Sequence, residues 1–144
     1  MDDFMIYDDD YPTCARTHAT VRIYPPEVID PREITRRLGI EPSSWQRKGD
    51  HSPEGKPPRI YKTHGWFLTS KGIVGSKDSR RHLDWLLEQI GPKAEALREL
   101  HREGCRMDVS CFWESQSGQG GPTVSPRQME QLARLNLDLW FDLY

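Results

Sequence analysis

The final eight residues, Leu137-Asp138-Leu139-Trp140-Phe141-Asp142-Leu143-Tyr144, change character at every step. Side chains along a strand point alternately to its two faces. The spacing therefore predicts a strand with Leu137, Leu139, Phe141 and Leu143 on one face and Asp138, Trp140, Asp142 and Tyr144 on the other. Met107 to Glu114 follows the same rule, setting Met107, Val109, Cys111 and Trp113 against Asp108, Ser110, Phe112 and Glu114. Ala19 to Tyr24 does so again, with Ala19, Val21 and Ile23 on its apolar face. Gly65 to Ser70 supplies a shorter strand around Trp66 and Leu68, with Arg59 to Thr63 expected as an edge strand before it. Strands covered on both faces of a parallel sheet read as unbroken apolar runs. The alternation here calls instead for a sheet with one covered face.

Three helical stretches are available to cover it. Asp30-Pro31-Arg32-Glu33 places an N-cap acceptor, Pro at the first helical position and Glu at the third. Ser125-Pro126-Arg127-Gln128 repeats that grammar with Ser and Gln. Between them, Leu83, Leu86, Leu87, Ile90, Ala94, Leu97 and Leu100 fall at helical spacing. Gly91-Pro92 is expected to kink or divide this stretch, because Pro lacks a backbone donor and clashes with the preceding turn. Gly104 stands where a left-handed C-terminal cap belongs. The expected fold is α+β: a two-layer sandwich, with a mixed or antiparallel sheet of about four to five strands carrying helices on one face. The shared helix starts also raise an internal repeat, β-α-β, helix, β-α-β. Two good helix starts reached independently explain the same grammar and are preferred.

The chain of 144 residues has 20 basic and 22 acidic side chains, a net charge of −2. That length suits one domain. Aliphatic residues are scarce, and five Trp and five Tyr make up the deficit, since each large ring buries more area. The near-neutral total hides an uneven distribution. Residues 1–15 hold five Asp and no base, whereas residues 16–62 are net +4. Residues 1–15 are expected as an acidic leader, mobile through self-repulsion, ahead of a single domain at 16–144. Phe4, Ile6, Tyr7 and Tyr11 leave docking of the leader over the basic stretch as the alternative. No apolar run approaches the roughly 20 residues of a membrane span, and Met1-Asp2-Asp3-Phe4 lacks the basic and apolar regions of a secretory signal, so none is expected. Three unpatterned cysteines, Cys14, Cys105 and Cys111, point to a reducing compartment, so a cytoplasmic protein is expected. Near-neutral charge makes nucleic acid an unfavoured partner.

The segment from Pro42 to His51 is the best local candidate for a binding surface. It combines an aromatic platform, Trp45, with the cations Arg47 and Lys48 and a Gly49-Asp50 turn. Trp and Arg dominate the energetics of many interfaces. The competing expectation is that Trp45 plugs the core from a loop while Arg47 and Lys48 stay solvated. A second candidate gathers His64 at a strand entrance, Glu114 at a strand end, and Gly120 and Gly121 in the turn before the last helix. Strand ends are where such folds place acid–base groups, and a Gly-rich turn feeding a helix N-terminus can cradle an anion. That turn lacks the Lys-Ser/Thr ending of a phosphate loop, and Ser125 and Gln128 compete for the same donors. No metal-ligand spacing and no cofactor motif occurs, so neither a metal nor a cofactor is expected. Cys111 is expected to face inward as a small hydrophobe.

Seven landmarks in order carry a family resemblance: Ala19-Thr20-Val21-Arg22-Ile23, Trp45-Gln46-Arg47-Lys48-Gly49-Asp50, Gly65-Trp66-Phe67-Leu68-Thr69-Ser70, the Leu83/Trp85/Leu86/Leu87 helix, Phe112-Trp113-Glu114-Ser115, Gly120-Gly121-Pro122 and Trp140-Phe141-Asp142-Leu143-Tyr144. Over about residues 19 to 144 the chain resembles an uncharacterised, mainly bacterial family of unknown function (family number 4279). The resemblance implies one compact α+β domain of bacterial origin and brings no activity, substrate or catalytic residue with it. The functional expectation is a non-enzymatic protein that binds another macromolecule, most simply a protein, through Trp45, Arg47, Lys48 and Asp50. A toxin-neutralising, immunity-type role or a regulatory one would suit such a domain. The alternative is a small ligand binder or hydrolase-like enzyme working at His64, Glu114, Gly120 and Gly121.

Overall fold

The computed structural model describes residues 5–144. Their regular elements run β1 (Cys14–Tyr24), α1 (Pro31–Leu38), β2 (Ser44–Gln46), β3 (Gly65–Thr69), α2 (Ser79–Ile90), a 3₁₀ turn (Gly91–Lys93), α3 (Ala94–Arg102), β4 (Arg106–Ser115), α4 (Pro126–Arg134) and β5 (Asp138–Leu143). The strands form one sheet in the order β2-β3-β1-β4-β5. Every neighbouring pair is antiparallel except β4 and β5, which are parallel. The sheet is therefore mixed. α1 carries the chain from β1 over β3 to β2, and α2 with α3 carries it from β3 over β1 to β4. These are two interleaved split β-α-β units, the ferredoxin-like arrangement, to which α4 adds β5.

Alternation decides which face is covered. Ala19, Val21 and Ile23 of β1 pair in register with Cys111, Val109 and Met107 of β4, while Val21 and Ile23 pair with Leu68 and Trp66 of β3. All of these are buried. Ile34 and Leu38 of α1, Leu83, Leu86, Leu87 and Ile90 of α2, Leu97 and Leu100 of α3, and Leu132 of α4 close over them in one cluster. Among the described residues no helix lies on the opposite face. It shows His18, Arg22, Tyr24, Phe67, Asp108, Phe112 and Trp140, with Arg22 donating through Nε and Nη2 to the two Asp108 oxygens at 2.7 Å.

Local grammar sets the helix starts. The Asp30 carboxylate accepts the Arg32 N–H at 2.9 Å, ahead of Pro31 at the first position. Ser125 and Gln128 form a capping box on α4, in which Gln128 Oε1 accepts the Ser125 N–H at 2.9 Å. Gly91-Pro92 divides the long helical stretch into α2 and α3 across the 3₁₀ turn.

Three expectations need revision, and the internal repeat is not confirmed. Arg59 to Thr63 is not a strand: only Ile60 bridges, to His51. Pro57 and Pro58, just before it, lack the N–H groups that would extend this bridge into a ladder. The edge on that side is β2, so Trp45 sits on a strand rather than in a loop. The internal repeat does not emerge as equal halves, because β3 separates β1 from β2 whereas β4 and β5 are neighbours. Phe141 and Leu143 share the covered face by register, yet they are exposed, because β5 is the outermost strand and its far half lies beyond the helical layer.

Residues 5–13 lie against the start of α2 rather than over the basic stretch at 16–62. Asp78 accepts the Asp8 N–H at 2.8 Å, Asp9 pairs with Arg81 at 2.8 Å, and the Arg81 guanidinium stacks 4.1 Å from the Tyr7 ring centre. Tyr7 donates its hydroxyl to Asp84, and desolvation with that bond pushes the phenol up to about 12. Phe4 lies outside the described residues.

Candidate functional site

β2 is three residues long and pairs with β3 so that Trp45 faces Trp66. Trp66 is fully buried and donates its indole N–H to Thr35 of α1 at 3.0 Å. Its neighbour Trp45, one strand further out, keeps 42% of its surface in water. Two successive residues then fix that ring. Arg47 lies over it, its guanidinium 4.7 Å from the ring centre. Arg47 is itself held by Asp30, with Nε donating at 2.7 Å and Nη2 at 3.3 Å. Asp30 thus serves both as cap of α1 and as anchor of Arg47. The Arg47 hydrogen bond holds its carboxyl well below the usual carboxylate range.

The turn that follows is equally tied down. The Asp50 N–H donates to the Arg47 carbonyl at 3.1 Å, and Gly49 supplies a φ of 91° that side-chain-bearing residues rarely adopt. Gly49 and Asp50 both hydrogen-bond to the backbone of Tyr61. His64 closes the group: its Nδ1 accepts the Lys48 N–H at 2.9 Å, so its Nε2 carries the proton and donates to the Glu27 carbonyl at 3.1 Å. Lys48 also forms an exposed ion pair with Glu27. Trp45, Arg47, Lys48 and Asp50 are therefore brought together on one edge of the sheet, with His64 as their brace.

The other candidate group is dispersed. His64 spends both ring nitrogens on backbone beside Lys48 and Glu27. Glu114 pairs with Arg16 at the far end of β1, its partner's nitrogen at 2.9 Å. Along β1, Arg16 faces Glu114 while Ile23 faces Trp66, next to His64, so the two groups stand at opposite ends of the sheet. Gly120 lies at the Glu114 end. Its left-handed φ of 85° and its closeness to Thr13, whose hydroxyl would stand 2.4 Å from any added Cβ, make it a packing contact with the leader. Ser115 Oγ accepts the Gly118 N–H at 2.8 Å and donates to the Gln119 carbonyl at 2.7 Å, so the loop that contains Gly120 and Gly121 is tied to itself.

One polar cluster escaped the sequence. Ser70 Oγ lies 2.6 Å from His82 Nδ1, and His82 Nε2 lies 2.7 Å from the Ser76 carbonyl. Since Nε2 must donate to the carbonyl, Nδ1 accepts from the serine. Both side chains are buried, and desolvation pushes the His82 pKa down. Beside it, buried Gln128 donates to Asp84 at 2.9 Å and to the Arg80 carbonyl at 2.8 Å. These bonds lock α2 to the end of β3 and to α4. The three thiols are free and buried; burial raises Cys105 to about 11 and Cys111 to about 12, far from a nucleophile's range. Among the described residues no three His, Cys, Asp or Glu side chains gather as a metal site, and no helix is long and apolar enough to cross a membrane.

Comparison with known families meets this geometry at one point. The model of a family described as a domain of unknown function, DUF4279, matches residues 15–144. The chain belongs to that family. The match spans all five strands of the sheet but for the first residue of β1, and it takes in both edges, so the Trp45 platform is part of the DUF4279 domain and the leader contacts of Tyr7 and Asp9 lie outside it. No curated protein and no solved structure matches the chain.

Proposed function

We propose that this DUF4279 protein is a non-enzymatic binding protein that engages another protein through the Trp45 edge. The observation that carries this reading is the pre-set aromatic ring: Trp45 is half exposed, yet Arg47 and Asp30 hold it in place. A large side chain already fixed in its bound position loses little entropy on association, which is how aromatic anchors come to dominate interfaces. Arg47 in this arrangement supports the ring, and the exposed contacts are Trp45, Lys48 and Asp50. Protein is favoured over nucleic acid because the arginine at the platform and two on the open face of the sheet are already matched, Arg47 by Asp30, Arg22 by Asp108 and Arg16 by Glu114, and the chain as a whole is net acidic. A toxin that the chain neutralises or an enzyme that it regulates, in a bacterial cytoplasm, are the partner classes this surface suits.

The test is affinity capture with the full chain, followed by reconstitution with the purified captured protein. Trp45→Ala should weaken that binding about thirtyfold while the melting temperature stays near that of the wild type. Equal affinity of the two proteins for the reconstituted partner would remove this edge from the interaction.

A further inference from the structure

β5 is the other edge of the sheet, and its only charges are Asp138 and Asp142, both on the open face. Edge strands are ordinarily blunted by shortness, by lysine or proline, or by a covering loop. β5 runs for six residues without Lys, Arg or Pro. Its main chain shows which groups are free. The Tyr144 N–H donates to the Trp113 carbonyl and the Tyr144 carbonyl accepts the Ser115 N–H, both toward β4. Backbone groups alternate in direction along a strand, so those of residues 138, 140 and 142 also face β4, and those of Leu139, Phe141 and Leu143 point outward. Around them Trp140 is 50% exposed, Phe141 41% and Leu143 58%.

We propose that β5 pairs antiparallel with β5 of a second copy of this chain, about a twofold axis at Phe141, joining two five-stranded sheets into one. A twofold axis perpendicular to the sheet keeps both open faces on the same side, so opposed residues must share a face. Two registers then use most of the strand, one centred on Trp140 and one on Phe141. Centring on Trp140 sets Asp138 directly against the partner's Asp142, twice, and like charges directly opposed are destabilising. Centring on Phe141 sets the two Phe141 rings together, Leu139 against the partner's Leu143, Trp140 against the partner's Asp142 and Asp138 against the partner's Tyr144. No like charges then meet, and each outward N–H finds an outward carbonyl. The covered-face residues, Leu139, Phe141 and Leu143, read the same in both directions from Phe141. That self-complementarity makes a second copy, rather than an unrelated strand, the occupant.

Sedimentation of the full chain over a dilution series tests this directly. The expected result is a mass that rises to twice that of the monomer. Phe141→Arg places two cations on the axis and should weaken association by about thirtyfold or more, whereas Trp45→Ala at the opposite edge leaves it unchanged. The register has its own readout. Directly opposed residues lie about 5.5 Å apart between Cα atoms, within reach of a disulfide. Mild oxidation should therefore link Phe141→Cys chains in higher yield than Trp140→Cys chains, the native thiols being buried. A monomer at every concentration, a dimer indifferent to Phe141→Arg, or better linking through Trp140→Cys would each overturn the proposal. Occupation of β5 by an unrelated protein on a monomeric chain would do the same.

Discussion

The two edges of this sheet solve the same problem in opposite ways. At the β2 edge the strand is three residues long and its exposed Trp45 is clamped by Arg47 and Asp30, next to fully buried Trp66. At the β5 edge the strand is twice as long, its exposed rings have one cation among them, Arg22 over Trp140, and the outward backbone is bare. The first edge is organised from within the monomer. The second is complete only when something pairs with it. An exposed aromatic residue thus means different things according to what lies behind it: a fixed ring suits a partner of defined shape, and an open strand suits another strand.

The largest effect should come from beneath the clamped edge. Trp66→Ala removes a buried ring that both β2 and α1 rest on, and should cost about 3–5 kcal/mol in chemical denaturation. The equivalent truncation at the open edge, Phe141→Ala, should cost less, about 1–2 kcal/mol in a dilute sample, because that ring is only partly covered. Comparable losses would mean that β5 is not a free edge. Asp30→Ala comes next, at about 1–2 kcal/mol, since it removes the cap of α1 together with the anchor of Arg47.

Acid separates the two edges further. The folded pKa of Asp30 is depressed, so its ionised form adds stability above the ordinary carboxylate pKa, and that contribution is lost as pH falls through the folded value. The melting-temperature difference between the wild type and Asp30→Asn should be constant above about pH 4 and shrink in stronger acid. His82 acts on the whole domain instead. Its folded pKa is lowered by burial, so the unfolded chain takes up the proton first and stability declines as pH drops below about 6.5. A shallower fall from pH 7 to pH 5 in His82→Asn than in the wild type would confirm the source, the remaining slope coming from His18, whose pKa burial also lowers. The smallest effect belongs to Trp45→Ala, about 1 kcal/mol on folding, since the ring and its stacking on Arg47 are partly in water.

Much of this was legible in the residues because it depends on neighbours in the chain. Period-two alternation marked β1, β3, β4 and β5, and Asp30-Pro31 and Ser125-Pro126 marked two helix starts. Trp45 stood out because no amphipathic pattern claimed it. β2 was missed since three residues are too few to show a period. Phe141 and Leu143 take the apolar face and are still exposed, because alternation tells which face a residue takes and not whether its strand is central or outermost. The Ser70–His82 pair was invisible for a similar reason: twelve residues and a loop separate its members, and only the packing of α2 on β3 joins them.

By itself the sequence determined the class of fold, one covered face, aromatic core positions and capped helices, all of which follow from local periodicity and hydrogen-bonding grammar. Strand order came only with the tertiary structure. The order β2-β3-β1-β4-β5 sends His64 and Glu114 to opposite ends of β1, gives Arg47 its carboxylate across the α1 turn, and leaves β5 outermost. Long-range neighbours are chosen by how whole layers bury their area together, a sum over the entire chain that no single segment carries.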